Sequence, residues 1–381
     1  MRIYLDHNAT TPLRMEVVRA MTDLLQEDFG NPTSTHEEGA RARAHVERAR
    51  AQVAALLGTS EESVIFTAGA SEANNTVIYQ LLDVLKQGRG LVTSAVEHPS
   101  VVEPAKQLEK AGLPVRWMPV DGQGRVDAAE VIEAARQGAD LVSLIWANNE
   151  TGVVQPIEEI AVGLEKLGVP FHVDATQAVG KWKVDLTELP ITYLSCSAHK
   201  LNGPKGAGCL IARNEGPLRP LVSGGPQERR QRGGTENVAG IVGLGLACEI
   251  ARSELPERIE AYSRLRDQLW DELQKRIPRL SRNGSEEHVL PNTLNVEITG
   301  APGEVMVQAL DLEGIAISMG AACHSGSISP SHVLVAMGLT PEQTRSSLRL
   351  SVGQDLSAED ITMAAERIAA VAERSRKAHA Q

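Results

Sequence analysis

The chain alternates short runs rich in β-branched and aromatic residues with longer stretches of helical periodicity between residues 60 and 215. The runs that favour strands lie at residues 63–67, 90–95, 115–120, 140–146, 169–173 and 191–195. Apolar residues recur every three or four positions in intervening stretches, which predicts helices at residues 73–86, 128–136 and 157–167. This alternation predicts an α/β fold in which helices cover a mostly parallel sheet.

Polar side chains follow the predicted strands, at the sheet edge where open α/β folds bind ligands. These groups lie at residues 69–72, 97–98, 148–150, 174–177 and 197–200. The first group opens a helix, whose free N–H groups and dipole favour a phosphate, although Ser71 could equally serve only as the helix N-cap. Asp174 would place a carboxylate deep in the cleft, where it could keep a heterocyclic nitrogen protonated.

Lys200 lies in the segment SCSAHKLNGPKGAG, residues 195–208, between the strand at 191–195 and another predicted strand at 209–212. The glycines and the proline of this segment predict a short loop and a close approach of the backbone. A lysine that is buried or near other cations can lose its proton and attack an aldehyde. A solvated surface lysine or a phosphate-binding lysine is the alternative that this local pattern leaves open.

His98 adds a flat ring to this sheet edge, although a lone histidine is more typical of a core or loop position. The ring becomes informative in combination with the lysine, the phosphate site and the carboxylate, because it could stack on a bound aromatic ring. Together these groups describe a site for pyridoxal phosphate, whose pyridinium ring acts as an electron sink.

The amino-acid composition limits the kinds of partner that we expect the protein to bind. The 381 residues carry a formal net charge of −11, and only 3% of them are aromatic. Such a chain repels nucleic acid and anionic membranes and offers few platforms for base stacking. No apolar segment is long enough to cross a bilayer, and the N-terminus lacks a charged leader followed by an apolar core. We therefore expect a cytoplasmic protein with neither a nucleic-acid nor a membrane partner.

The cysteines are Cys196, Cys209, Cys248 and Cys323, and no two of them form a CxxC pair. This scatter predicts neither a disulfide framework nor a structural zinc site, and no other metal site is predicted. The first three lie in apolar surroundings that are typical of core cysteines. Cys323 differs, because the small residues of 318–327 predict an exposed, flexible loop.

The sequence resembles the cysteine desulfurases, of the NifS and IscS type, in the class V aminotransferase superfamily. The resemblance runs nearly end to end, in motifs that occur in the family's order. They are YLDHNATTP (4–12), FGNPTS (29–34), TAGASE (67–72), EH (97–98), NNETG (148–152), VDATQ (173–177), the lysine segment, GGT (233–235) and RLS (349–351). The resemblance implies the pyridoxal-phosphate-dependent transferase fold of type I and an enzyme that converts L-cysteine to L-alanine.

The resemblance also implies roles for the residues of this chain that match the family's motifs. Lys200 would form the Schiff base with pyridoxal 5′-phosphate, Asp174 would pair with the ring nitrogen, and His98 would stack on the ring. Asn149 and Gln177 would donate hydrogen bonds to the phenolic oxygen. The residues implied to hold the phosphate are Ala70, Ser71, Ser197 and His199, with Thr235 reaching it from the other subunit of a homodimer.

The remaining implied roles concern the substrate and its sulfur. Arg349, with Asn149, would bind the substrate, because a planar guanidinium suits a carboxylate. Cys323 would be the nucleophile that becomes a persulfide and passes sulfur to an acceptor protein such as an iron–sulfur scaffold or a thiolation enzyme. Residues 324–345 would form a weakly ordered transfer loop. Ala321 replaces the family's usual serine, Ser71 its usual threonine, and His324 beside the cysteine is unusual.

We expect a large cofactor-binding domain at 14–237 and a smaller α+β domain made of 1–13 and 238–381. A helix at 241–276 would link the two. In the smaller domain, the patterns predict strands at 292–298 and 346–352, helices at 303–312 and 358–374, and a frayed tail from residue 375.

Two other functions stay open at this point. A selenocysteine lyase or an aminotransferase would share Lys200 and Asp174 but would need no persulfide on Cys323. A scaffold protein that kept the fold without catalysis is disfavoured by the presence of Lys200.

Overall fold

The computed structural model describes residues 2–84, 88–213, 218–319 and 330–379. Its strands are β1 Ile3–Tyr4, β2 Val64–Thr67, β3 Leu91–Ser94, β4 Val115–Met118, β5 Leu141–Ile145, β6 Phe171–Asp174, β7 Tyr193–Ser197, β8 Gly208–Ala212, β9 Leu280–Arg282, β10 Thr293–Ile298, β11 Ile315–Ala316 and β12 Ser347–Ser351. Its α-helices are α1 Met15–Glu27, α2 Glu37–Leu57, α3 Ala70–Ile78, α4 Pro99–Lys110, α5 Ala128–Arg136, α6 Ile157–Leu167, α7 Val238–Arg276, α8 Gly303–Leu312, α9 His332–Ala336, α10 Pro341–Arg345 and α11 Ala358–His379.

The main sheet contains seven strands in the order β2-β8-β7-β6-β5-β3-β4. Every pair from β7 to β4 is parallel, whereas β8 is antiparallel to both β2 and β7. The predicted mostly parallel sheet is therefore confirmed. Since parallel strands end at the same edge, the residues that follow β3, β5, β6 and β7 lie near one another.

Helix α6 shows how the sequence pattern produces the layers. Ile157, Ile160 and Leu164 recur at helical spacing and are buried, so this face of the helix packs against the sheet. The helix ends at Gly168, which adopts the left-handed conformation with φ of 63°. Strand β5 carries a continuous apolar run and is buried at every position, as expected for a strand covered on both faces.

A second core lies around β10, which pairs with β9 and β12 in an antiparallel sheet. The N-terminus joins this core, because β1 pairs in parallel with β11 and buries Ile3 and Leu5 there. Helix α7 belongs to both cores: Leu244 packs in the first and Leu269 in the second. The predicted domain limits, 14–237 and 1–13 with 238–381, therefore stay a prediction.

The prediction of a frayed tail from residue 375 is wrong. Helix α11 continues to His379, and Ser375 is buried. Arg376 holds this last part of the helix in place by donating hydrogen bonds to the carbonyl oxygens of Thr299 and Pro278. None of the described helices has the length and apolarity that crossing a membrane requires.

The prediction of weak order across 324–345 is wrong for its second half. Helices α9 and α10 occupy residues 332–336 and 341–345. Ser331 caps α9, Thr340 forms a capping box with Gln343, and Leu334 is buried in a small apolar cluster with Val96. Residues 324–329 lie outside the described part of the chain.

Candidate active site

A cavity of about 720 Å³ lies at the carboxyl edge of the main sheet. Of the predicted site residues, it is lined by Ala70, Ser71, His98, Asn149, Asp174, Gln177, Ser197, His199, Lys200 and Arg349. Thr235 lines a smaller cavity nearby instead. Cys323, with Ala321 and His324, lies outside the described residues. The fold thus brings together nearly all of the predicted groups within one chain.

Lys200 ends a short 3₁₀ turn, Ala198–Lys200, that follows β7 directly. Its Nζ donates hydrogen bonds to the carbonyl oxygens of Asn8, at 2.5 Å, and Ala9, at 2.8 Å. Burial and, to a smaller extent, the nearby cation of Arg349 lower the pKa of Lys200 to about 8, against the opposing charges of Asp6 and Asp174. A neutral, nucleophilic amine is therefore accessible near neutral pH.

Asp174 is the last residue of β6 and is only 3% exposed. One carboxylate oxygen accepts a hydrogen bond from the backbone N–H of Thr176 at 3.0 Å, and the other accepts one from Asn74 Nδ2 at 2.7 Å. Both oxygens are therefore fixed in position at the cavity. The Thr176 hydroxyl, also at the cavity, is buried and has no hydrogen-bond partner among the described residues.

His98 forms the N-cap of α4. Its Nδ1 accepts a hydrogen bond from the backbone N–H of Ser100 at 3.1 Å and lies 2.8 Å from the Ser100 hydroxyl oxygen. Burial lowers the pKa of His98, Lys200 and His332 lower it further, and only the charge of Asp174 opposes them. The neutral ring is therefore the stable form, and it stands at the cavity with its orientation fixed.

Gln177 is held from behind by Lys181, which the sequence analysis missed. Lys181 Nζ donates to Gln177 Oε1 at 2.7 Å, and Gln177 Nε2 donates to the carbonyl oxygen of Asn8 at 2.9 Å. The NH₂ group of Gln177 is therefore directed at Asn8, which also lines the cavity. Burial lowers the pKa of Lys181 well below its ordinary value.

The end of the cavity that is predicted to hold a phosphate is the first turn of α3. Gly208 lets β8 approach this turn, since a Cβ there would lie 2.6 Å from the Gly69 Cα. His199, whose Nδ1 lies 3.2 Å from the Thr10 hydroxyl, is kept neutral because burial and the charge of Lys200 lower its pKa to about 4. The free N–H groups of α3 remain as anion donors at this end.

Arg349 enters the cavity from β12 of the second sheet. Its Nη2 donates to Asp6 Oδ1 at 2.8 Å and its Nη1 to the carbonyl oxygen of Asn149 at 3.1 Å. Asp6 accepts a further hydrogen bond from the Ser318 hydroxyl. The sequence analysis quoted Asp6 and Asn8 within a motif but gave them no role, and the pairing of two segments so distant in sequence offered no local signal.

Two buried carboxyl groups lie next to the predicted residues. Glu97, before His98, is fully buried, and burial raises its pKa to about 8 despite a hydrogen bond from Ser94. Glu150 accepts a hydrogen bond from the Ser331 hydroxyl at 2.5 Å, and burial raises its pKa to about 7.

In the described part of the chain, no group of three His, Cys, Asp or Glu side chains could hold a metal ion.

These residues fit pyridoxal phosphate. The first turn of α3 supplies N–H donors for a phosphate, Asp174 an acceptor for a ring N–H, and Lys200 an amine for the aldehyde. The unpartnered Thr176 hydroxyl shows that the cavity still has a hydrogen bond to offer to a polar ligand.

Known proteins share the whole architecture. The family model for Aminotransferase class-V matches residues 3–363. The chain belongs to this family. Cysteine desulfurase IscS of Dictyoglomus turgidum is 42% identical over 360 residues, which cover 94% of this class V chain and 91% of that protein. The solved structure of a NifS-like protein superposes with a TM-score of 0.92 at 35% identity, over 98% of this chain and 100% of that one.

A third similarity is to the structure of SspA in complex with cysteine, with a TM-score of 0.82 at 34% identity, covering 92% of this class V chain and 99% of SspA. Aminotransferase class-V proteins and the cysteine desulfurases among them depend on pyridoxal phosphate. The predicted family, fold, enzyme class and cofactor are therefore confirmed. The roles of the individual site residues stay predictions.

Proposed function

We propose that this class V protein is a cysteine desulfurase that converts L-cysteine to L-alanine and leaves the sulfur as a persulfide on Cys323. The observation that carries the proposal is the position of Lys200, a half-buried amine with a pKa of about 8 that shares one cavity with Asp174, His98 and Arg349. The relatives named cysteine desulfurase support it, since they are 42% identical over nearly the whole chain.

Residues on several sides of the cavity would hold the cofactor. Lys200 would hold pyridoxal phosphate through its amine, and Asp174 would accept a hydrogen bond from the ring nitrogen. His98 would stack on the ring, with Asn149 and Gln177 as donors to its phenolic oxygen. The phosphate would lie against Ala70, Ser71, Ser197 and His199. When bound, the cofactor supplies an electron sink for the substrate carbon atoms.

The protein's own groups would handle the substrate. Arg349, oriented by Asp6, would bind the carboxylate of L-cysteine through its guanidinium. Nζ of Lys200 would take and return the proton of the substrate α-carbon. The thiolate of Cys323 would attack the substrate sulfur, so that an S–S bond forms while the C–S bond breaks and its electron pair stays with carbon. Protonation of that carbon gives alanine.

The sulfur acceptor would be a second protein whose thiolate attacks the outer persulfide sulfur; an iron–sulfur scaffold is one candidate. A homodimer is supported by Thr235, which lines a cavity with Ala68 and Gly206 instead of facing Lys200 in its own chain. From there it could serve the phosphate of a second copy. The cytoplasmic location stays a prediction.

The test is turnover of isotopically labelled L-cysteine by protein loaded with pyridoxal phosphate. We expect labelled alanine, and mass spectrometry should find labelled sulfur on Cys323. Lys200→Ala should abolish both products, whereas Lys183→Ala, at an exposed position, serves as the matched lysine control.

Cys323→Ala should keep the absorbance of the bound cofactor but lose desulfuration. Undiminished desulfuration of cysteine by Cys323→Ala would contradict the persulfide mechanism and favour a lyase or an aminotransferase. Protein that stays colourless with added cofactor would favour a non-catalytic scaffold.

A further inference from the structure

The hydrogen bonds around His98 define which of its nitrogen atoms carries the proton. A backbone N–H can only donate, and that of Ser100 points to Nδ1 of His98 at 3.1 Å. Nδ1 therefore offers its lone pair, and a proton on this nitrogen would collide with the N–H of Ser100. In the neutral ring, the proton must be on Nε2. Nε2 has no hydrogen-bond partner among the described residues, and the ring borders the cavity.

The hydroxyl of Ser100 reinforces this assignment, because a second contact orients it. Asn74 Nδ2 lies 2.8 Å from the Ser100 hydroxyl oxygen and 2.7 Å from Asp174 Oδ2. A rotated Asn74 amide would place its oxygen against the carboxylate oxygen of Asp174, so the NH₂ group must face both acceptors. The hydroxyl oxygen of Ser100 thus receives a hydrogen bond, and its own proton is free to go to Nδ1 of His98, 2.8 Å away.

We propose that Ser100 and Asn74 are positioning residues that hold His98 as the neutral tautomer protonated on Nε2. The chain of contacts runs from the Asp174 carboxylate through Asn74 and Ser100 to the His98 ring. His98 then presents a flat neutral ring and one N–H to the cavity. This deepens the proposed function and rests on it only for the identity of the bound cofactor.

The charged groups around His98 are consistent with a neutral ring. Burial lowers the pKa of His98, Lys200 and His332 lower it further, and only Asp174 opposes them. His332, on helix α9, donates a hydrogen bond from Nε2 to the carbonyl oxygen of Glu97 rather than to the ring of His98. Since Asp174 already accepts hydrogen bonds on both oxygens, its charge is partly satisfied within the chain.

The protonation state of His98 decides which residues of the site can transfer protons. Nε2 of the neutral tautomer has no lone pair with which to take a proton, and protonating Nδ1 would break two hydrogen bonds. His98 therefore acts as a stacking group and hydrogen-bond donor. The transfer of protons to and from the substrate carbon falls to Lys200, the amine with the pKa of about 8.

Nitrogen NMR of the full-length protein with ¹⁵N-labelled histidine tests this directly, with and without pyridoxal phosphate. The His98 signals are assigned by their loss in His98→Gln. From pH 7 to 9 we expect a pyridine-type Nδ1 and a pyrrole-type Nε2. A pyrrole-type Nδ1, or an imidazolium over this range, would overturn the proposal. The measurement needs no turnover, so its result does not depend on whether the protein desulfurates cysteine.

Substitution of Ser100 tests whether its hydroxyl determines the protonation state of His98. Ser100→Ala removes one hydrogen bond that stabilises the neutral ring, so the proton affinity of His98 should rise about five- to tenfold. Ser100→Thr keeps the hydroxyl and should give the wild-type spectrum. Asn74→Ala frees the Ser100 hydroxyl to rotate and should change the affinity in the same direction by a smaller factor. An unchanged titration of His98 in Ser100→Ala would refute the role of the hydroxyl.

Discussion

The cavity is built from two regions that are assembled in different ways. The site floor, which we define as His98, Asp174, Gln177 and Lys200, follows strands of a single sheet. The arginine wall, defined as Asp6, Asn8 and Arg349, joins the N-terminal segment to β12, and its ion pair spans 343 positions of the sequence. The floor therefore depends on local strand ends, whereas the wall depends on the docking of distant segments.

The two regions also differ in what their contacts hold in place. In the floor, Asp174 accepts hydrogen bonds from Thr176, two residues later, and from Asn74 of α3, a helix that packs on the sheet. In the wall, Arg349 has its guanidinium on Asp6, while Asn8 bonds to Thr293 of β10. Loss of one member of a largely buried ion pair leaves the other uncompensated, so the wall should respond to single substitutions across long sequence distances.

Substitution of Arg349 should give the largest effect on the wall. Arg349→Ala removes the guanidinium proposed to bind the substrate carboxylate, so kcat/KM for L-cysteine should fall about a thousandfold, mainly through KM. Arg349→Lys should recover only part of this loss because it lacks the bidentate geometry. Steady-state kinetics measure both, with Arg345→Lys on the exposed side of α10 as control. An unchanged KM would mean that the wall does not bind the substrate.

The contrast between floor and wall explains what could be predicted from the sequence. Asp174 and Lys200 directly follow apolar strand-forming runs, and in a parallel sheet this places them at one edge. Asp6 has no such signal, since its role arises from pairing with a residue in the last strand. Lys181 was equally hidden, because a single lysine in a short turn gives no sign that it will be buried behind Gln177. The short helices α9 and α10 were missed because small and polar residues surround their caps.

Substitution of Asp6 should give an intermediate effect on the wall. Asp6→Asn removes the charge that orients Arg349, and we expect KM for L-cysteine to rise about a hundredfold with a smaller change in kcat. The charge of Asp6 also raises the pKa of Lys200, so the variant should titrate Lys200 below the native value of about 8. The pH dependence of the rate at which cofactor-free protein takes up pyridoxal phosphate measures this, because only the neutral amine of Lys200 reacts with the aldehyde. Asp23→Asn, at an exposed position of α1, should change neither quantity.

Glu150 follows Asn149, whose carbonyl oxygen contacts the wall, and should affect stability more than catalysis. Its carbonyl oxygen accepts a hydrogen bond from Asn295 of β10, and its carboxyl group accepts one from Ser331. Burial raises the pKa of Glu150 from 4.5 to about 7 in the folded protein. The folded state therefore binds this proton more tightly than the unfolded state. The stability that the group contributes is complete below pH 4.5 and is lost as the pH rises through 7.

Glu150→Gln should remove this pH dependence, because the amide resembles the protonated acid in shape and stays neutral. Relative to wild type, we expect little change in melting temperature at pH 5 and an increase at pH 8 that corresponds to about 2 kcal/mol. Calorimetry of the cofactor-loaded protein at both pH values measures the difference. Glu159→Gln, on the exposed side of α6, should show the wild-type dependence. An equal shift at both pH values would mean that Glu150 is already ionised in the folded state, with a charged hydrogen bond to Ser331.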